Sequence, residues 1–207
     1  MIDADAGGAN VVSPVADILF RADIWFVRVC ARSARPAVGR GLAIAFSRAG
    51  NGGLYPVLAA TLLFAFGAQA RLVVLLAAVN IVLMHTVYPT IKRRAARLRP
   101  FRAYADLKPL LATLDEHSFP SGHVMTLTAA LVPIALALPA TLPLALGAWV
   151  AMAWARVASA HHYPSDILAG AALALIVSYP LTKLALGWST LGWMALNWPA
   201  FGWTTLG

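Results

Sequence analysis

Three polar islands interrupt an apolar sequence, and each holds residue types suited to a phosphoryl group. One runs from Arg156 through His161-His162-Tyr163-Pro164-Ser165 to Asp166 and sets a histidine and an aspartate four residues apart. If a helix starts at Pro164, the carboxylate reaches back to the His162 imidazole, fixing its tautomer and freeing the other ring nitrogen for attack. Arg156 adds a planar fork that matches phosphate oxygens. A simple interfacial His-Asp pair is the plainer reading of the same spacing.

A second island, Pro120-Ser121-Gly122-His123, directly precedes an apolar run. Serine is a good helix N-cap, glycine admits a phosphate close to the backbone, and first-turn amides attract an anion. An ordinary capped helix with an interfacial histidine would look the same. The remaining island, Lys92-Arg93-Arg94-Ala95-Ala96-Arg97-Leu98-Arg99-Pro100, sets Lys92 and Arg99 two helical turns apart. Pro100 disfavours helix at Arg99 and can turn its guanidinium inward. Taken alone, a basic run at the end of a span reads as headgroup contacts.

The elements that must position these islands are membrane helices. The chain of 207 residues is 60% hydrophobic and 12% charged, with a mean hydropathy of +0.74, too apolar for an ordinary soluble domain. Five segments approach the roughly 20 apolar residues of a crossing: 53–70, 72–91, 122–139, 141–158 and 165–184. Tight turns join the first to the second and the third to the fourth. The resulting hairpins place all three islands on one side, as one pocket with three cations, two histidines and a carboxylate.

The stretch 12–33 would make a sixth span but carries Asp17, Arg21, Asp23, Arg28 and Arg32, each expensive at a bilayer centre. Asp17, Arg21, Arg28 and Arg32 share a helical face opposite Ile18, Phe26 and Val29, the pattern of an interfacial amphipathic helix. Residues 36–47 read as a second one. The chain thus divides into an interfacial arm (1–50), a transmembrane catalytic domain (51–185) and a tail (186–207). In the tail Trp188, Trp193, Trp198 and Trp203 suit anchoring at the headgroup level. The opening residues 1–10 do not resemble a cleaved signal peptide. Cys30 is the single cysteine, so no intrachain disulfide forms.

The net charge of +8 lies between apolar spans rather than on a soluble face, which favours anionic lipid headgroups or a phosphorylated substrate over nucleic acid. Residues 21–48 carry six arginines and residues 92–108 seven cations. With a non-crossing arm both fall on one side, which the positive-inside rule would make cytoplasmic.

Lys92-x6-Arg99-Pro100, Pro120-Ser121-Gly122-His123 and Arg156-x5-His162-x3-Asp166 together resemble, in order and helical context, the motifs of the type 2 phosphatidic acid phosphatase (PAP2) superfamily. The resemblance covers about residues 53–184. It implies an all-α integral membrane bundle of about five spans, or six if the arm crosses. It also implies that His162 attacks phosphorus and becomes a phosphohistidine, Asp166 orients it, and His123 protonates the leaving oxygen and later activates water. Lys92, Arg99, Ser121, Gly122 and Arg156 would hold the phosphoryl oxygens. No metal and no cofactor is needed in this scheme, and the lack of an acidic cluster agrees with that. Ala155 departs from the family, which has serine there. His161, His117 and His85 match no motif position and read as structural.

The compact core is similar to bacterial undecaprenyl diphosphate phosphatases of the superfamily. Phosphatidylglycerophosphate, phosphatidic acid and lipid A are rival substrates, and a phosphotransferase would need the same residues. The resemblance implies the bacterial cytoplasmic membrane with the pocket facing the periplasm, against the charge count. The rivals of another class are a non-catalytic protein that binds anionic lipid and a phosphatase of soluble substrates.

Overall fold

The structure, a computed structural model, describes the backbone of residues 14–113 and 115–194 and the side chains of 17–113 and 115–187. Its helices are α1 (Pro14–Ser33), α2 (Ala37–Ala49), α3 (Leu54–Phe66), α4 (Ala70–Ala95), α5 (Pro100–Ala103), α6 (Gly122–Ala137), α7 (Leu142–Ala158) and α8 (Pro164–Met194). No strand occurs among the described residues; one isolated bridge pairs Leu98 with His117.

Each of the five expected spans is a helix. Among the described residues, three apolar helical runs are long enough to cross a membrane: Leu54–Ala95, Pro139–Ala158 and Pro164–Gly187. The first comprises α3, a reversal at Gly67 and α4; Gly67 has φ of 58°, a left-handed conformation that suits glycine. α8 continues through Pro180 to Met194, ten residues past its expected end at 184, and so enters the Trp-bearing segment without a break. The rings of Trp188 and Trp193 and the whole of Trp198 and Trp203 lie outside the described residues.

The shorter apolar helix, α6, is the centre of the bundle. Residues 124–130 and 132–134 are buried on all sides, and α6 packs chiefly against α8, α4 and α7. Small residues permit this: Thr126, Thr128, Ala129 and Ala130 let neighbouring backbones approach closely. Enclosure by protein also removes any need for α6 to match the hydrocarbon thickness by itself. The outer helices instead point large apolar side chains outward, among them Val57, Phe64, Leu144 and Ile176. With no water to compete in a bilayer core, such faces are stable only against lipid.

The arm folds as two helices that pack on α7, with α1 also touching α8. Its charged face is present: Arg21 pairs with Asp17 at 2.8 Å and Arg28 with Asp106 at 3.0 Å, all of them solvent-exposed. α1 has a third face, however, which carries Asp23, Ile24 and Val27 into the protein. Ala155, the departure from the family pattern, is fully buried with Ala34, Ala43 and Ala158, so the missing hydroxyl coincides with tight packing of the arm on α7.

At the other contact of α6, Gly170 of α8 lies so close to Ser121 that an added Cβ would sit 2.7 Å from its carbonyl oxygen. That neighbour is backbone and cannot swing aside. Gly170→Ala is therefore expected to cost about 1–3 kcal/mol and to lower the thermal midpoint measured in detergent.

Candidate active site

The three islands meet at one end of the bundle, where α4 ends, α6 begins and α7 passes into α8. Ala96 adopts the left-handed conformation at φ 44° and ends α4, its amide donating to the Lys92 carbonyl at 3.1 Å. The chain then runs extended, and the Leu98–His117 bridge brings it beside the segment leading into α6. Arg99 is extended before Pro100, as the proline requires. The amide of Ser121 donates to the Asp166 carbonyl at 3.0 Å, joining the first turns of α6 and α8. Lys92, Arg99, Ser121, Arg156, His162 and Asp166 are buried, while Gly122 and His123 are half-buried. An added Cβ on Gly122 would approach the Tyr88 ring to 3.0 Å.

His162 is held differently from the spacing argument. Its Nδ1 lies 2.7 Å from the Ser118 carbonyl oxygen and 3.8 Å from Oδ2 of Asp166. A carbonyl only accepts, so Nδ1 carries the proton and Nε2 the lone pair, the tautomer expected, with a backbone oxygen in place of the carboxylate. Asp166 is instead committed elsewhere. Its Oδ2 accepts from the Tyr163 amide at 2.8 Å and its Oδ1 from Arg97 at 2.8 Å, which leaves it as a fixed negative charge behind the ring.

The cations fall into two groups. Arg99 donates through Nη2 to Oδ1 of Asp115 at 2.7 Å, through Nε to the Asp115 carbonyl at 3.0 Å and through Nη1 to the His161 carbonyl at 2.9 Å. The same Nη1 lies 3.3 Å from Nε2 of His162. Lys92 donates to the Tyr88 hydroxyl and, at 2.7 Å, to Oδ2 of Asp115. The Arg156 guanidinium has no side-chain hydrogen bond or ion pair, and its Nε is buried without a partner. Ser121 has extended N-cap geometry, yet its hydroxyl makes no capping bond and is also buried unpartnered. Asp115 escaped the sequence reading because it belongs to no motif; its one signal was an acid just ahead of Pro120-Ser121-Gly122-His123.

Two further charged residues hold no motif position. Asp23 of α1 accepts from the Ser165 amide at 3.0 Å and from the Ser165 hydroxyl, capping α8 from another helix. Arg97 bridges Asp23 and Asp166 at 2.8 Å each, and its guanidinium lies 3.9 Å over the Tyr163 ring. Arg97 thus balances two buried carboxylates at once.

His123 sits apart from this network. Its Nε2 is 2.8 Å from Oδ1 of Asn51, in the turn between α2 and α3, and no hydrogen bond joins it to His162. His161 is fully buried, with Nε2 2.9 Å from the Leu111 carbonyl oxygen. His85 meets Thr126 at 3.2 Å, and His117 forms the bridge with Leu98.

Burial first, and then the Arg156 charge, push the His161 imidazole down to about 3. Burial, with Arg156, Arg99 and Lys92, likewise holds His162 well below its ordinary value near 6.5. Both rings are neutral in the folded protein, whereas the unfolded chain takes up protons below about 6.5. The stability from burying them is therefore full above that pH and is lost as the pH falls. Thermal midpoints measured in detergent are expected to decline from about pH 7 to about pH 5, less steeply in His161→Leu. Arg97→Ala, which leaves Asp23 and Asp166 without their counterion, is expected to cost about 3–5 kcal/mol in the same assay.

Residues 56–189 match the PAP2 superfamily, and no curated protein matches the chain by sequence. Solved structures share the fold. The PAP2-type phosphatidylglycerolphosphate phosphatase of Bacillus subtilis is 21% identical with a TM-score of 0.59, over 81% of this chain and 85% of that one. LpxE of Aquifex aeolicus is 20% identical with a TM-score of 0.63, over 80% and 95%. With the family matched across most of the chain and the three motifs gathered at one end of an apolar helical bundle, the protein belongs to the PAP2 superfamily and is an integral membrane phosphatase.

Proposed function

We propose that the protein hydrolyses a lipid phosphate or diphosphate through a phosphohistidine on His162. The observation that carries this reading is the buried Arg156 guanidinium, which has no carboxylate, in a cluster of cations around a neutral His162. A buried, unpaired charge is costly, and a phosphoryl group is the partner that relieves it. The Ser121 hydroxyl is a second buried group in need of a partner.

The Nε2 lone pair of His162 attacks phosphorus, so a P–N bond forms as the bond to the lipid oxygen breaks. The electron pair leaves on that oxygen, which takes a proton from His123. The ring keeps its Nδ1 proton on the Ser118 carbonyl and becomes cationic, and Asp166 at 3.8 Å stabilises that charge. Water then attacks phosphorus, His123 accepts its proton, and inorganic phosphate departs as the P–N bond breaks. Arg156, Ser121 and the first-turn amide at Gly122 hold the phosphoryl oxygens. Lys92 and Arg99 join them by exchanging the Asp115 carboxylate for substrate oxygen.

Undecaprenyl diphosphate is the substrate favoured by the compact core. Phosphatidylglycerophosphate is the second reading, supported by the activity named for the Bacillus subtilis neighbour, and phosphatidic acid and lipid A follow. We place the protein in the bacterial cytoplasmic membrane with the pocket facing the periplasm, residues 1–50 and the Trp-rich segment from 186 lying at the headgroups, and anionic lipids bound by the arm. Cysteine labelling from either side at position 105 tests the face.

The purified protein is expected to release phosphate from a panel of these lipids with chelator present and to be inhibited by vanadate. His162→Ala should remain folded and lose at least about 10³-fold in turnover. Activity surviving in that variant would overturn the mechanism. A lipid-binding protein without catalysis would release nothing, and a soluble-substrate phosphatase would show no preference for long chains. Asp115→Asn weakens the carboxylate's hold on Lys92 and Arg99, so vanadate should inhibit it more tightly, by roughly ten-fold; weaker inhibition would show that Asp115 stays in place during turnover.

A further inference from the structure

Resting on the role given to His123 above, we propose that Asn51 is a positioning residue for the general acid, so that the turn preceding the family-matched region completes the active site. Residues 56–189 carry the family match, and Asn51 lies before them, in the turn from α2 to α3. It comes from no motif and has no helical spacing to any of them.

Two observations bear on it. The first is the 2.8 Å contact between Oδ1 of Asn51 and Nε2 of His123. An amide oxygen only accepts, so this contact keeps a proton on Nε2, where the leaving oxygen must find it. A neutral acceptor does this without the tight hold of a carboxylate, and the proton remains available for transfer. The second is the fit of the turn against the ring: a Cβ on Gly50 would lie 2.6 Å from Cδ2 of His123 and 2.7 Å from the methyl group of Met152. Gly50 therefore lets the backbone close onto His123 and presents Asn51 at the correct depth. The Ser47 carbonyl of α2 also faces the imidazole, so a short stretch of the arm surrounds it.

A residue that acts through a general acid has a chemical signature. Breaking a bond to an alkoxide needs the proton, and breaking one to a nitrophenolate hardly does. Asn51→Ala is expected to lower kcat/KM for a lipid or alkyl phosphate by about ten-fold or more, and for p-nitrophenyl phosphate by less than about three-fold. kcat/KM is the proper readout because it covers steps up to phosphoenzyme formation and excludes the later attack of water. His123→Ala should show the same pattern in larger measure, and the double variant should fall no further than His123→Ala alone. Asp23→Asn, which loosens the nucleophile's side of the site, is expected to lower both substrates alike.

Equal losses on the two substrates for Asn51→Ala, no loss on either, or additive losses in the double variant would overturn the proposal. Asn51 is exposed, so the substitution leaves the core untouched. Activity persisting in His162→Ala would instead defeat the phosphohistidine reading, whatever Asn51 does.

Discussion

The organising constraint of this molecule is the cost of burying charge at the end of an apolar bundle. Lys92, Arg99 and Arg156 leave water there and Arg97 does so in part, and a cation in a low-dielectric setting is tolerated only when paired or when a ligand will pair it. Asp115 answers Lys92 and Arg99, and Asp166 with Asp23 answers Arg97. Arg156 is left over. The same uncompensated cluster, together with burial, keeps His162 neutral and therefore nucleophilic. Charge balance thus ties the anion site, the nucleophile and the arm together.

Much of this was legible in the sequence. Hydropathy and turn chemistry give five helices in nearly their observed positions, because spans must be continuous and apolar whatever their partners. The three motifs converge because alternating helices return the chain to one side. α8 was given an end at 184, where the Trp-bearing tail follows, yet the helix runs on to Met194, its internal Pro180 accommodated by neighbouring helices.

What escaped was long-range pairing. Asp23 is 142 residues from the serine it caps, and the amphipathic pattern of α1 sets it off the face of Asp17 without saying what it meets. Arg97 lay in a basic run whose members look alike until the left-handed Ala96 redirects the chain. The spacing of His162 and Asp166 suggested a direct bond, but the ring turned to the Ser118 carbonyl, a backbone group that side-chain motifs do not encode. Asn51 was hidden for a similar reason, since its partner lies across a turn and 72 residues away.

The central claim is that His162 carries phosphate covalently. Brief reaction of the purified enzyme with a radiolabelled phosphate substrate, followed by rapid denaturation, should trap label that is stable in alkali and lost in acid, as a phosphoramidate is, and that maps to the peptide containing His162. Turnover without any trapped label when water attack is the slow step, or label on another residue, would contradict the account.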